Sequence, residues 1–389
     1  MSTQACARAI SDAITGRSAF LKIISANDAG ATGSHQAGLY LPKRAQGMFT
    51  PHRPIAGRRD KHELRITWPD GIERESVVTW YGEKTRDEYR LTRFGRDFPF
   101  LGKDSVGELL VLIPAGPAAF IAHLLKLEEE IEDIQAALGV EILGSWAIYG
   151  GDEAERTQPE DECVATAFGA YAGTLEEFPT GSEMSRRAAS TLEQCVKGFS
   201  TKLADERLMR CVAAEYELFR SIEGRLCGDA IKGPFPTVES LIGTAATIMN
   251  RRKSRAGRSL ENHVERVLRE EGVPLEMRPR IQGSPDVVIP GKAAYDDPSY
   301  PLEKLFVVGV KTTCKDRWGQ VTKEARRASH KYILTLQAGI ATGQLREMHE
   351  AHVSLIVPSA LHKKYPKGSG IEMLSIDGFA SRVRSALKA

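Results

Sequence analysis

The sequence predicts a multidomain α+β protein with a strand-rich N-terminal part and an α/β C-terminal part. Three observations carry that expectation. Residues 1 to about 150 hold many short strand-like runs separated by Gly and Pro turns. From about residue 178 the apolar residues recur three and four apart. Beyond residue 285, strand-like and helix-like segments alternate. The 389 residues, 42% hydrophobic and 27% charged, can fill two cores and are too apolar for wholesale disorder.

In the first part only Ala5 to Leu21 has helical spacing. "HELRITWP" and "ESVVTWYG" alternate apolar and polar residues, as half-buried strands do. "GELLVLIPA" and "VEILGSWAIYG" are continuously apolar and read as interior strands, so a barrel or sandwich is expected over 1–150. Residues 151–177 are acidic, rich in small side chains and aperiodic, and read as a linker. The domain beyond spans 178–389. "RRAASTLEQCVKGF", "ERLMRCVAAEYELFRSIEGRL", "TVESLIGTAATIMN" and "SLENHVERVLREEG" read as helices, with Thr237 and Ser259 as N-caps. After them come strands "PDVVIP", "LFVVGVKTT", "HKYILTL" and "HVSLIVP" with helices between, a mixed sheet flanked by helices.

A formal net charge of +2 neither demands nor excludes a polyanionic partner, since placement of charge matters more than its sum. Six scattered cysteines, without a CxxC pair or a histidine at zinc spacing, are expected as reduced thiols of a cytoplasmic protein. "MSTQACARAISDAITGR" has no uninterrupted apolar core, so no signal peptide is expected, and no run reaches transmembrane length.

The candidate chemistry lies where strand "VVGVK" ends. Asp286 heads one short apolar strand, Lys311 ends the next, and Glu324 lies thirteen residues beyond Lys311 on the expected helix. Two carboxylates are hard oxygen ligands suited to Mg²⁺, which can lower the pKa of a bound water and offset charge on a phosphodiester oxygen. A lysine can position that water or stabilise the pentacovalent state. This is the PD…(D/E)xK nuclease pattern with its second acid displaced: Gly309, two before Lys311, cannot bind metal, so Glu324 must supply the carboxylate. On spacing alone, a solvated lysine beside unrelated acids stays open. The run Arg251, Arg252, Lys253, Arg255 and Arg258 before a helix carrying Glu261 suits phosphate binding at a helix N-terminus, unless it is merely a solvated charge run.

Six blocks, in order, then add weight: "SANDAGATGSHQAGLYLP", "GEKTRDEYRLTRFGR", "FPTGSE", "NRRKSRAGRSLE", "VKTTCKDRWGQ" and "VPSALHKKYP". Together they resemble the EcoRII family of type II (type IIE) restriction endonucleases, from about residue 24 to 366. The resemblance implies a B3-like β pseudobarrel effector domain that binds a second DNA copy, followed by a restriction-endonuclease-like PD-(D/E)xK catalytic domain. It implies Mg²⁺-dependent cleavage of double-stranded DNA at a short near-palindromic site with CC/GG outer pairs (CCWGG-like), by a homodimer activated by a second site. A cognate DNA methyltransferase is expected in the same system, though not as a binding partner.

By position, Asp286, Lys311 and Glu324 match the family's catalytic set, Asp286 and Glu324 as metal ligands, Glu261 the additional upstream acid, and Tyr295 a position near the active site. Lys315, Asp316 and Arg317 match the segment that reads the outer pairs: Lys and Arg donate to guanine O6 and N7, Asp accepts from cytosine N4. Arg252 joins the DNA contacts, as do Arg210 and Tyr216 beside the family's pocket for a flipped base. In the effector domain the matches are His35, Tyr40, Lys84, Arg86, Glu88 and Arg90. Two departures stand out: Tyr89 replaces a basic residue, and Cys211-Val212-Ala213 replaces a run of arginines before Glu-Tyr. A DNA-binding regulator on a nuclease relic would tolerate loss of Asp286, Lys311 and Glu324. A repair or mobile-element nuclease would lack the readout triplet and the effector blocks.

Overall fold

A computed structural model describes residues 3–32, 38–50, 59–81, 88–94, 98–150, 159–323, 327–328 and 330–388. The chain divides into two units. One comprises Met1–Ala154, Gln337–Glu347 and Leu361–Gly370, the other Glu155–Leu336, Met348–Ala360 and Ile371–Ala389.

In the first unit, α1 (Gln4–Gly16) begins at Thr3, whose side chain accepts from Cys6 N, and buries Cys6, Ala9 and Ala13. Leu21, expected on this helix, instead lies in β1 (Ala19–Ile23). Then come β2 (Leu39–Leu41), α2 (Gln46–Phe49), β3 (Arg59–Thr67), β4 (Glu73–Tyr81), β5 (Glu88–Thr92), β6 (Leu109–Gly116), β7 (Ala119–Leu125), α3 (Glu128–Leu138) and β8 (Trp146–Tyr149). The strands form one eight-stranded sheet in the order β2-β5-β4-β3-β7-β6-β1-β8. All its pairings are antiparallel except β3 with β7.

The alternation read in "HELRITWP" and "ESVVTWYG" sets the two faces. Leu64 and Ile66 join Val78 and Trp80 in the core, where Trp68 is ringed by Phe94, Phe98 and Phe100. Lys61, Glu63 and Arg65 occupy the alternate positions, registered with Thr79, Val77 and Glu75.

Two expectations fail here. Residues 140–145 are not strand; β8 starts at Trp146. And α3 is an unforeseen helix, because its sequence "EEEIEDIQAAL" is too acidic for a strong apolar stripe. Its first turn is held instead by Glu130, whose carboxylate accepts from Lys126 N at 2.9 Å and Leu127 N at 3.0 Å.

The second unit opens with α4 (Pro159–Gly173), α5 (Gly181–Cys195), α6 (Ala204–Lys232) and α7 (Val238–Glu270). Helix α4 falls inside the expected linker. Its Val164, Phe168 and Ala172 are buried with α5 and α6, and Cys163 is disulfide-bonded to Cys195, against the expectation of free thiols throughout. Alanine and glycine scattered through the rest of the helix leave its buried face too narrow to register as a period.

The two helices expected over 237–271 are one. Thr237 caps α7, accepting from Ser240 N at 3.1 Å, but Ser259 is buried in mid-helix. The basic run 251–258 therefore lies in a helix interior and has no helix N-terminus to offer. No proline interrupts the segment, and a glycine inside a helix costs only about 1 kcal/mol, so helix propagates through Gly257.

The rest of the chain carries the sheet of this unit: β9 (Glu276–Met277), β10 (Val287–Ile289), α8 (Lys292–Asp296), β11 (Phe306–Lys311), α9 (Trp318–Lys323), β12 (Lys331–Thr335), α10 (Thr342–Glu350), β13 (Val353–Ile356), α11 (Ser359–His362), β14 (Met373–Leu374) and α12 (Ile376–Lys388), with most of α10 and the end of α11 falling in the first unit. Its order is β14-β13-β12-β11-β10-β9, parallel from β11 to β14 and antiparallel from β11 to β9. The mixed sheet is as expected. No helix among the described residues is long and apolar enough to cross a membrane.

Candidate active site

Lys311 ends β11 because Val307, Val308 and Val310 are buried and the next residues are not. Asp286 precedes β10, and the register Val287–Val308, Val288–Val307 puts it opposite Gly309. Asp286 Oδ2 accepts from Val310 N at 2.7 Å and from Lys311 Nζ at 2.8 Å. The two side chains are only 15% and 21% exposed, so the pair is partly shielded yet reachable from solvent. Asp286 Oδ1 takes no hydrogen bond among the described residues, leaving one carboxylate oxygen available to a hard cation.

Glu261, on α7, comes to the same strand end through a residue the sequence reading missed. Arg278 donates its guanidinium to Glu261 Oε2, and its backbone N–H to Asp286 O at 2.8 Å. It does so in a left-handed conformation, φ 45°, which a non-glycine residue adopts only when its surroundings impose it. No one-dimensional pattern announces such a clamp.

Gly309 has a definite packing role. A Cβ built there would lie 2.7 Å from Val321 Cγ2, so α9 rests directly on the strand that carries Lys311. Glu324, the residue after α9, lies outside the described residues. Among the described residues no cluster of three or more His, Cys, Asp or Glu could hold a metal.

Tyr295 packs beside Val288, Val307 and Ala328. Its hydroxyl accepts from Arg327 N at 3.5 Å, and Arg327 binds the carbonyls of Ala294, Tyr295 and Tyr300.

Lys315, Asp316 and Arg317 form the turn between β11 and α9. Asp316 is exposed, Lys315 is buried, and Arg317 donates to Thr313 Oγ1 at 3.1 Å. Cys314, beneath them, is fully buried.

The basic run divides by function. Arg252 makes a bidentate pair with Glu223 of α6 at 2.7 and 2.9 Å, Arg251 stacks on Phe178 at 3.9 Å, and Arg255 lies over Tyr216 at 5.2 Å. Those three tie α7 to its neighbours, while Lys253 and Arg258 remain exposed. Arg210 lies 3.9 Å from Glu160 of α4. Burial pushes the Cys211 thiol beside it up to about 12, so it stays protonated at neutral pH.

In the first unit, β2 and β5 register Tyr40 with Arg90, on the face opposite Tyr89 and Leu91. Arg90 binds Glu88 at 3.1 and 3.4 Å. His35, Lys84 and Arg86 lie outside the described residues. Beside Tyr40 is a polar cluster that the sequence reading did not assign. Lys22, fully buried, pairs with Asp28 at 3.0 Å, and Asp28 also accepts from Ser25 Oγ at 2.6 Å and Tyr40 N at 3.0 Å. Burial pulls the Asp28 carboxyl upward, but Lys22 and these bonds outweigh it and hold it below the usual range. Lys22 and Lys364 each hold an ammonium 5.9 Å from the Tyr40 ring, and Lys364 O accepts from Ala26 N at 2.9 Å. The blocks "SANDAGATG" and "HKKYP" are thus neighbours in space, a relation invisible in their separation along the chain.

Comparison with known proteins finds relatives for both halves of the chain. Residues 13–146 match the family described as restriction endonuclease EcoRII, N-terminal, and residues 219–380 the family EcoRII C terminal. The chain is 32% identical over 388 aligned residues to the type II restriction enzyme EcoRII of Escherichia coli, covering 94% of this chain and 93% of that one. It is 24% identical over 149 residues to the type II restriction enzyme SsoII of Shigella sonnei, covering 35% and 47% of the two chains. A solved complex of restriction endonuclease PspGI with substrate DNA aligns with 55% of this chain and 95% of its own, at 13% identity and a TM-score of 0.44. Similar along almost its whole length to one type II restriction enzyme, and matched in both halves by that enzyme's family models, the chain belongs to the EcoRII family of type II restriction endonucleases.

Proposed function

We propose that the second unit is a PD-(D/E)xK nuclease that cuts both strands of a short, near-palindromic, CCWGG-like DNA site with Mg²⁺. The observation that carries this reading is the Lys311–Asp286 pair at 2.8 Å on two adjacent strand ends, with Glu261 drawn to the same place by Arg278.

Asp286 and Glu324 are the residues that would hold Mg²⁺; once bound, such an ion supplies Lewis acidity toward a phosphodiester oxygen and a water of lowered pKa. The chain's own groups do the rest. Lys311 Nζ, fixed by Asp286, donates toward the nonbridging phosphate oxygen or the attacking water. Val310 N–H and Lys311 together orient Asp286 through Oδ2. Arg317 and Lys315 donate to guanine and Asp316 accepts from cytosine N4, on the turn that begins four residues after Lys311. Readout and cleavage then share one rigid segment, so a wrong outer pair displaces the catalytic lysine as well. A two-fold site requires two copies of the triplet, hence a homodimer.

The first unit, in this reading, is a B3-like effector domain. Tyr40, Glu88 and Arg90, with His35, Lys84 and Arg86, bind a second copy of the site and thereby shift the enzyme toward its active state. Asp286→Ala and Lys311→Ala test the assignment. Each should abolish cleavage of cognate plasmid with Mg²⁺ while specific binding stays measurable, because readout lies on other side chains. Near wild-type cutting by either variant would remove the pair from catalysis.

A further inference from the structure

The block "HKKYP" takes no part in the catalytic site, and its residues belong to the first unit. Its backbone is fixed there. Lys364 O accepts from Ala26 N at 2.9 Å, and the hydroxyl of buried Tyr365 donates to Gln337 O at 2.7 Å. Gln337 leads into Gly339, whose carbonyl oxygen lies 2.8 Å from where a Cβ of Gly107 would stand. Both glycines have positive φ, +112° and +90°, so neither position suits a side chain. The Lys364 ammonium stands 5.9 Å from the Tyr40 ring, as does that of Lys22. Asp28 lies with them, but at 3.0 Å from Lys22 Nζ it is already paired. Burial and then the Lys22 charge push the Lys364 amine below the ordinary lysine range, and Asp28 offsets them only in part. Lys363, the next residue back, is exposed and adds further positive charge. A half-buried cation without a carboxylate of its own gains from an anion supplied from outside.

We infer that Lys364 is a phosphate-binding residue of the effector site, holding a backbone phosphate of the second DNA duplex beside Tyr40. The assignment rests on the reading of the first unit as an effector domain and adds to it a contact from the C-terminal half of the chain. Tyr40 is registered with Arg90 of β5, so Lys364 adjoins the residues already given to that duplex. A lysine on a phosphate positions DNA without reading its bases. Lys364 lies between α11 and β14, so a duplex held by it engages both halves of the chain.

Reductive methylation of the full chain, read peptide by peptide, tests this. A short cognate duplex should protect Lys364 and Lys84 over the same range of duplex concentration, while fully buried Lys22 stays unmodified throughout. Arg90→Ala should raise the duplex concentration that protects Lys364. When the duplex is used to rescue cleavage of a single-site plasmid, Lys364→Gln should raise its half-activating concentration about tenfold at low salt and lower the log–log salt slope by about one. Lys364→Arg should restore both. The melting temperature of Lys364→Gln should not fall, because no ion pair is lost; structural damage would lower it and leave the salt slope alone. Protection of Lys84 without Lys364, protection of Lys364 indifferent to Arg90→Ala, equal protection by inorganic phosphate, or an unchanged slope in Lys364→Gln would each overturn the assignment and leave the effector reading standing. A duplex that protects neither lysine would refute the effector reading, and this assignment with it.

Discussion

Gly309→Ala tests the coupling between the sheet and α9. The added methyl would lie 2.7 Å from Val321 Cγ2 and 3.4 Å from Cγ1, whereas carbon atoms rest about 3.5–4.0 Å apart. Val321 is fully buried, and a β-branched side chain in a helix has one strongly preferred rotamer, so it cannot swing aside. Helix α9 must therefore retreat by about 1 Å. Overpacking of this kind costs about 1–3 kcal/mol, against a gain of about 0.5–1 kcal/mol for replacing glycine in a strand. A net loss of about 1–2 kcal/mol in urea unfolding is expected. Cleavage should fall about 100-fold, since a misplacement of about 1 Å at a catalytic element has that effect. Val321→Ala alone should cost about 2 kcal/mol through lost burial and a cavity. In the double variant the new methyl fills part of that cavity, so the two changes should fall short of additivity by about 1–2 kcal/mol and much of the cleavage should return. Additivity within about 0.5 kcal/mol, or full activity in Gly309→Ala, would show that α9 does not depend on this contact.

Three further outcomes are expected. Arg317→Ala should lose about 1–3 kcal/mol of specific binding per half-site with little change in salt dependence, measured by competition against a site altered at its outer pair. A plasmid with two sites should be cut faster than one with a single site, a short cognate duplex should rescue the latter, and Arg90→Ala should weaken both effects; equal rates throughout would deny the first unit a regulatory role. Asp28→Asn should cost about 3–5 kcal/mol by leaving Lys22 buried without its counter-charge. The carboxyl is held below its ordinary 3.8, so its contribution is complete above that value and is lost as pH falls through the lower folded one; acid melting curves of the variant should lack this limb.

What the sequence determined by itself was local and periodic. Alternation in β3 identified which of its side chains enter the first core, whereas β4 is buried on both faces from Ser76 to Trp80. The β-branched run 307–310 identified a buried strand, and with it the exposed end at which Lys311 had to appear. Asp286 and Lys311 were legible as a pair because two short neighbouring strands leave their ends little choice of place. The tertiary structure decided what depends on residues distant in the chain. The basic run 251–258 read as a helix entrance, but burial of Leu260, Val264, Val267 and Leu268, with Arg252 held by Glu223 of α6, carries one helix straight through it. Helix α4 has almost no amphipathic period; it exists because α5 and α6 bury Val164, Phe168 and Ala172. Arg278 joins Glu261 to the active-site strand, and the Lys22–Asp28 pair lies beside Lys364, through contacts whose partners are far apart in sequence. Such contacts form only once the fold has closed the intervening loops, so no window of sequence contains them.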